Sequence, residues 1–226
     1  MKLHRILTCC ALFLVCCGSL KAQFEKPFLA ADLVLISVFG GFNGEDALAG
    51  TSDVFLLPRL QASPGVGISL GATFTKTKEM LAVRYEAASL KAEFEGDGLG
   101  KATYQLIGLE VRKLIAKPLI STKEGLPALQ FQFGACPGIV FLRIPDGHRT
   151  LSTIKADSRF TAASLQALAG LVYHVLPQVD LQLQASYRMA LLLDAKKISG
   201  GTTPLEVDGN VGMGGPILGV GFKLVI

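Results

Sequence analysis

The sequence predicts an all-β protein: an eight-stranded antiparallel up-and-down transmembrane β-barrel that follows an export signal. Three observations support this prediction. The N-terminus is a short apolar segment with a basic start, later segments carry apolar residues at every second position, and the last such segment reaches the C-terminus. A period of two places each set of side chains on one face of a strand. Strands that cross a membrane must close into a barrel, because lipid offers no hydrogen-bond partner to an open sheet edge.

The N-terminal segment has the order of a secretory signal peptide. Residues 1–5 carry two basic side chains, residues 6–17 are uncharged, and small residues precede Gln23. The uncharged run is shorter than the roughly 20 residues that a membrane-spanning helix needs. We therefore expect cleavage after Ala22, with residues 1–22 as signal peptide and residues 23–226 as the barrel domain.

Cleavage changes what the composition implies. The precursor has 22 basic and 18 acidic residues, and three of the basic ones precede the cleavage point, which leaves 19 against 18. This near balance predicts no nucleic-acid partner. Only Cys136 of the five cysteines remains, so an intrachain disulfide is excluded. Lipoprotein processing at Cys16 or Cys17 is the alternative, and neither cysteine follows the small residue that it requires.

Seven segments carry the alternating pattern, each with one apolar face and one face of glycine, serine, glutamine, alanine or charge. They lie within residues 65–75, 81–88, 107–112, 129–141, 163–174, 179–190 and 217–226. Bacterial single-chain barrels usually have an even number of strands. We expect the eighth strand in Ala30 to Gly41, whose continuous apolar run also fits a plug segment or a helix.

The connections between these segments alternate in length, as expected of external loops and periplasmic turns. Residues 77–78 and 176–177 are short turns, and 116–127 is longer. The other connections are 42–63, 95–101, 143–159 and 194–215. Both termini are then periplasmic. A soluble barrel with its apolar face inward is the alternative. The polar face argues against it, because it holds few lysines where a water-facing surface usually carries more charge.

The signal peptide, the eight-strand rhythm and the terminal Val220-Gly221-Phe222-Lys223-Leu224-Val225-Ile226 resemble the small outer-membrane β-barrel proteins, the OmpA/OmpX-like porin family. Members often end in Phe or Trp, which the assembly machinery reads, whereas this chain ends in Ile226. The resemblance covers the mature chain and implies an integral protein of a Gram-negative-type outer membrane. It also implies the barrel-assembly machinery as a partner during insertion, and it leaves the activity open.

Charged residues on the polar face predict a filled interior. An eight-stranded barrel is only wide enough for side chains to fill, so charges inside it must pair. A salt-bridged plug is the expectation and a narrow gated pore is the alternative. Cys136 shares this face and is expected to be a buried, inert thiol. The predicted lumen charges are Arg84, Glu86, Glu110, Arg112, Asp180, Arg188 and Lys223.

The sequence offers little catalytic or metal-binding chemistry. Residues 96–102 resemble a phosphate-binding loop, but Glu95 and Ala102 stand where its pattern needs Gly and Ser or Thr. The two remaining histidines, His148 and His174, are expected at opposite ends of the barrel, so we expect no metal site and no cofactor. His148 with Ser152 is the one candidate pair for a lipid hydrolase, and no matching pair occurs on neighbouring strand positions. We expect no enzymatic activity.

The expected role is structural, or one of surface interaction through the extracellular loops. A small-solute porin or channel is the alternative, and an outer-membrane lipid-modifying enzyme is a third hypothesis. The segment from 143 to 159 carries more basic than acidic side chains, which favours outer-membrane lipid or lipopolysaccharide as a partner of a monomer. Its ligand-binding candidates are Arg143, His148, Arg149, Lys155 and Arg159.

Overall fold

The computed structural model describes residues 26–38, 59–74, 77–94, 97–115, 117–121, 127–149, 155–197, 203–204 and 214–226. Within these ranges eight long strands form the wall of a barrel. They are β1 Lys26–Ile36, β2 Ser63–Phe74, β3 Glu79–Phe94, β4 Asp97–Leu114, β5 Pro127–Arg149, β6 Lys155–Leu176, β7 Val179–Lys197 and β8 Gly215–Val225. Three short segments add to the wall: Arg59–Gln61 pairs with β3, Ile120–Ser121 with β5, and Thr203–Pro204 with β7. The predicted signal peptide, residues 1–22, lies outside the described residues.

The barrel is closed and up-and-down, as predicted. Each long strand pairs antiparallel with the next along the chain, and β8 pairs antiparallel with β1. Asp32 of β1 therefore faces Gly67 of β2 on one side and Gly221 of β8 on the other. The region from Ala30 supplies the first strand rather than a plug or a helix, and closure leaves the eight long strands without an open edge.

The two ends of the barrel differ. One end, here called the turn end, holds turns at Thr77–Lys78 and at Pro177–Gln178, and Lys78 adopts the left-handed backbone conformation with φ 56°. The ends of the described chain meet there, where the amide of Ile226 donates to the carbonyl of Pro27 at 2.8 Å. The opposite end, here called the loop end, is where β1, β3, β5 and β7 finish.

The prediction that residues 143–159 form a loop was wrong for most of that segment. Strand β5 continues to Arg149 and β6 begins at Lys155, so most of the segment extends a hairpin in which Arg143 faces Arg159. The pairing shifts between Ile144 and His148. The proline, aspartate and glycine at 145–147 favour a turn in the sequence. In the structure they lie within this register shift, and strand pairing continues after it at His148. Residues 150–154 lie outside the described residues.

Along β1, β3 and β4 the interior has three layers: a small apolar cluster at the turn end, a layer of buried charges, and a larger apolar cluster at the loop end. Asp180, Lys223 and His174 lie at the turn end beside the small cluster. The turn-end cluster is Phe28, Ala30, Met80, Ala82, Leu114 and Val172. Representative members of the loop-end cluster are Ile36, Leu90, Tyr104, Leu106, Leu142 and Phe160. The apolar cluster at the loop end was not predicted, because a polar face was expected along the whole interior.

The polarity of the outward side chains changes along β3 and β4 in the direction opposite to that of the inward ones. Outward side chains near the turn end are apolar, from Leu81 to Tyr85 on β3 and from Ile107 to Val111 on β4. Towards the loop end both strands present polar or basic side chains. These are Ser89 and Lys91 on β3, and Lys101, Thr103 and Gln105 on β4. The wall of this sector is thus apolar outside and charged inside near the turn end, and polar outside and apolar inside near the loop end.

Candidate functional site

Arg84 is at the centre of the buried charged layer. Its Nη1 lies 2.7 Å from Asp32 Oδ2 and 3.3 Å from Glu110 Oε2, and its Nε donates to Glu86 Oε1 at 2.8 Å. Glycine on β2 makes room for this guanidinium, because a Cβ at Gly67 would lie 2.7 Å from Arg84 Nη2. One cation therefore joins three carboxylates that come from β1, β3 and β4.

Two further arginines extend the network from this centre. Arg188 Nη2 lies 2.5 Å from Glu86 Oε2 and donates to Gln166 Oε1 at 3.0 Å. Arg112 lies on the other side, where its Nη2 donates to Glu110 Oε2 at 2.8 Å and its Nη1 donates to Gln182 Oε1 at 3.0 Å. These contacts join β3, β4, β6 and β7 across the lumen.

A second group of paired charges lies nearer the turn end. Lys223 Nζ is 2.7 Å from Asp180 Oδ2, and the other carboxylate oxygen of Asp180 is 2.7 Å from His174 Nδ1. The remaining ring nitrogen of His174 lies 2.9 Å from Gln130 Oε1. Lys223 also lies over the Phe28 ring, 5.7 Å from its centroid, which is a favourable site for a cation. The strand that ends the chain is thus joined to β5, β6 and β7.

The interior charges balance. The buried carboxylates are those of Asp32, Glu86, Glu110 and Asp180, and the buried cations are Arg84, Arg112, Arg188 and Lys223; each residue is no more than 5% exposed. Each of these cations lies within ion-pair distance of a carboxylate. The four-to-four balance means that these groups neutralise one another without a bound ion, which is what burial of charge requires.

The structure places all seven sequence-predicted lumen charges in the interior. Sequence reasoning missed one buried carboxylate, Asp32, which is the shared partner of Arg84 and of the Gln184 amide at 3.2 Å. It also missed the polar partners that complete the network. Those partners are Ser69, Gln130, Gln166, His174, Gln182 and Gln184. The lone acidic residue in the apolar run of β1 was the available signal for Asp32.

The interior is filled rather than open. The side chains of Glu86, Gln132 and Leu106 are fully buried, and Tyr104 is 1% exposed. In the described part of the chain, histidine, cysteine, aspartate and glutamate nowhere form a group of three or more that could hold a metal ion. No helix among the described residues has the length and apolarity to cross a membrane.

Labelling of the Cys136 thiol tests whether the barrel interior is closed to solutes. Its side chain points inward from β5 and is fully buried, and a Cβ at Gly108 of the neighbouring strand would lie 2.6 Å from its Sγ. We expect a bulky, membrane-impermeant thiol reagent to leave the folded protein unlabelled and to label it after unfolding. The control is the outward variant Ser89→Cys in a Cys136→Ala background, which should react while folded. Rapid labelling of Cys136 in the folded parent would indicate an open channel.

The predicted ligand-binding residues are only partly brought together. Arg143 and Arg159 face each other on β5 and β6 with exposed, outward side chains, and Arg143 Nη2 forms an ion pair with Asp157 Oδ2. The backbones of the other three candidates continue the same hairpin, and their side chains lie outside what the structure describes. Those residues are His148, Arg149 and Lys155.

Comparisons with known proteins give a likeness of fold. No family model matches the chain, and no curated protein matches it. Among solved structures, Neisserial surface protein A has 16% identity over 88% of this chain and 95% of that chain, with a TM-score of 0.48. Outer membrane protein H (OprH) from P. aeruginosa has 13% identity over 89% of this chain and 100% of that chain, with a TM-score of 0.46. The N-terminal β-barrel domain of Pseudomonas aeruginosa OprF has 14% identity over 90% and 99%, with a TM-score of 0.40.

The predicted fold, an eight-stranded antiparallel up-and-down barrel, is confirmed by the closed ring of strands. At such low identity and TM-score the likeness says nothing about role or ligand, because one fold serves many functions.

Proposed function

We propose that this chain is an integral outer-membrane β-barrel protein with a structural or surface-interaction role at its loop end, and that it is not an enzyme. The observation that carries the proposal is the distribution of polarity near the turn end, where charges are buried inside the barrel and large apolar side chains face outward. A barrel built for water has the reverse arrangement.

The outward apolar side chains support a lipid environment. Leu33 is 67% exposed, and Leu183, Leu218 and Val220 are each more than half exposed on the neighbouring strands β1, β7 and β8. Contact with water costs about 25 cal/mol for each Å² of apolar surface, and soluble monomers rarely expose large continuous apolar patches. Contact with acyl chains removes this cost, and it accounts for an apolar belt around a charged interior.

The filled interior supports a closed barrel over the small-solute channel. Tyr104, Leu106, Leu142 and Phe160 close the loop end, and each is at most 1% exposed. A constriction lined mostly by apolar side chains disfavours the passage of water and ions. Each buried cation below it is held by a carboxylate, so the charged layer has no unpaired cation to offer a passing solute.

The lipid-modifying enzyme is the weaker proposal. Its candidate serine, Ser152, lies outside the described residues, and the side chain of His148 is not described. The buried carboxylates and arginines form ion pairs with one another inside the barrel.

The proposed partners are outer-membrane lipid, including lipopolysaccharide, and the barrel-assembly machinery during insertion. The proposed state is a monomer.

Cell fractionation tests the proposed location. The mature chain, with residues 1–22 removed, is expected to sediment with the outer membrane and to resist extraction by urea. On gels the unheated sample should migrate differently from the boiled one, because a closed barrel resists detergent until it is heated. A deletion of residues 215–226, which removes β8 and the closing ladder with β1, should abolish the mobility difference. Recovery of the intact chain as a soluble periplasmic protein would contradict the proposal.

A further inference from the structure

We propose that the outer wall at the loop end binds the phosphate groups of an anionic lipid through two facing pairs of cations, Lys91 with Lys101 and Arg143 with Arg159. This inference rests on the proposed function, because it takes the barrel to be embedded in an outer membrane. It places a ligand site on the barrel wall rather than in the loops, and it adds two lysines to the basic residues considered above.

Strand register brings the four cations onto one outer surface. Lys91 of β3 lies directly opposite Lys101 of β4, and Arg143 of β5 lies directly opposite Arg159 of β6. Thr103, two residues beyond Lys101 on the same face, lies opposite Arg143, so the two pairs are neighbours around the barrel. All four side chains are exposed. Directly opposed residues have Cβ atoms about 4.5–5.5 Å apart, a spacing at which two cationic heads reach one phosphate.

Like charges placed directly opposite each other destabilise a sheet. Among the side chains that the structure describes, no carboxylate pairs with Lys91, Lys101 or Arg159, while Arg143 pairs with Asp157. At the turn end of the same β3–β4 ladder the facing charges are opposite in sign: Lys113 lies opposite Glu79 and forms an ion pair with it at 3.2 Å. The described side chains leave this repulsion uncompensated at the loop end, and an anion bound from outside would relieve it.

The position of the pairs specifies the kind of anion. On β4 the outward side chains pass from apolar Ile107 through Gln105 and Thr103 to Lys101, so the cations lie just beyond the apolar belt. In a bilayer this is the depth of the lipid phosphates, and basic side chains near it gain about 1 kcal/mol each from anionic headgroups. The guanidinium fork of Arg159 suits two phosphate oxygens, while lysine acts as a point charge. A phosphate-bearing lipid fits both the depth and the charge.

Thermal unfolding in micelles tests the proposal, because lipid A should reverse the sign of the difference in unfolding temperature between the parent and Lys101→Gln. In zwitterionic detergent alone, Lys101→Gln should unfold at a higher temperature than the parent, because the substitution removes a repulsion. With diphosphoryl lipid A in the micelles, the parent should be stabilised more than the variant, so that the order of the two reverses. The apparent affinity for lipid A should fall about fivefold for each cation removed, and thus roughly 25-fold for Lys91→Gln with Lys101→Gln.

The control variant is Lys26→Gln with Lys117→Gln, which removes the same charge from exposed positions at the turn end and should bind lipid A as the parent does. Inorganic phosphate at the same concentration should not reproduce the stabilisation. Equal stabilisation by free phosphate would overturn the lipid assignment, and equal lipid A affinity in parent and Lys91/Lys101 double variant would overturn the site.

The outcomes also separate this inference from the proposed function. If the double variant retains the heat-modifiable gel mobility of a folded barrel but its lipid A affinity does not change, the cationic site is wrong and the membrane barrel stands. If the parent fractionates as a soluble protein, both fall together.

Discussion

Replacing Arg84 with glutamine is expected to lower the free energy of unfolding of the barrel by about 3–5 kcal/mol, the usual cost of removing one partner from buried ionic contacts. The guanidinium is shared by three buried carboxylates. Glu86 would keep Arg188 and Glu110 would keep Arg112, but Asp32 would retain only the Gln184 amide at 3.2 Å. The measurement is equilibrium unfolding by urea in zwitterionic vesicles.

Two comparisons identify the cause of this loss. Lys113→Gln removes an exposed cation that is paired with Glu79 on the outer surface, and it should cost at most about 1 kcal/mol. Adding Asp32→Asn to Arg84→Gln should restore part of the lost stability, because it removes the carboxylate left without a cation. A loss from Arg84→Gln no larger than that from Lys113→Gln would mean that the interior charges are hydrated.

Glu110 and Arg112 are expected to behave as a coupled pair. Glu110→Gln would leave buried Arg112 with the Gln182 amide, and Arg112→Gln would leave Glu110 with Arg84 and the Ser69 hydroxyl. Glu110→Gln should cost about 3 kcal/mol or more, since it leaves buried Arg112 without a carboxylate. Arg112→Gln should cost less, because Glu110 keeps its ion pair with Arg84. The double variant should be more stable than the sum of the two losses predicts, by about 1–3 kcal/mol. Additive losses would count against one continuous network.

The sequence predicted the faces of the strands but not the partners of the side chains. A period of two places Arg84, Glu86, Glu110 and Arg112 on one face of β3 and β4, whatever the neighbouring strands are. The pairing of Arg84 with Asp32 depends on a β2–β3 register and a β1–β2 register together. Alternation within a single strand carries no information about register, which turns and cross-strand packing set.

The first strand was difficult to predict for a physical reason. On β1 the outward Leu33 and Leu35 alternate with the inward Val34 and Ile36, because the strand crosses the apolar cluster at the loop end. Both faces are therefore apolar, and the alternation disappears. Its single inward carboxylate, Asp32, is where β1 passes the charged layer.

The same exchange of polarity explains why the strands were predicted too short. The pattern of apolar residues on the outer face ends near Ala87 on β3 and near Ile107 on β4, although the ladder continues to Phe94 and Asp97. Beyond those points the apolar residues, Leu90 and Tyr104, point inward. The alternating pattern stops where the outward side chains change from apolar to polar.

Depth-dependent fluorescence quenching tests the central claim, that the outward apolar belt lies in lipid and that the loop-end wall rises above it. The chain contains no tryptophan, so an introduced one reports alone. Leu109→Trp and Thr103→Trp both face outward on β4, six residues or about 20 Å apart along the strand. In vesicles with brominated acyl chains, the indole at 109 should be strongly quenched and the indole at 103 weakly. Equal quenching at both positions, or none at either, would contradict the account.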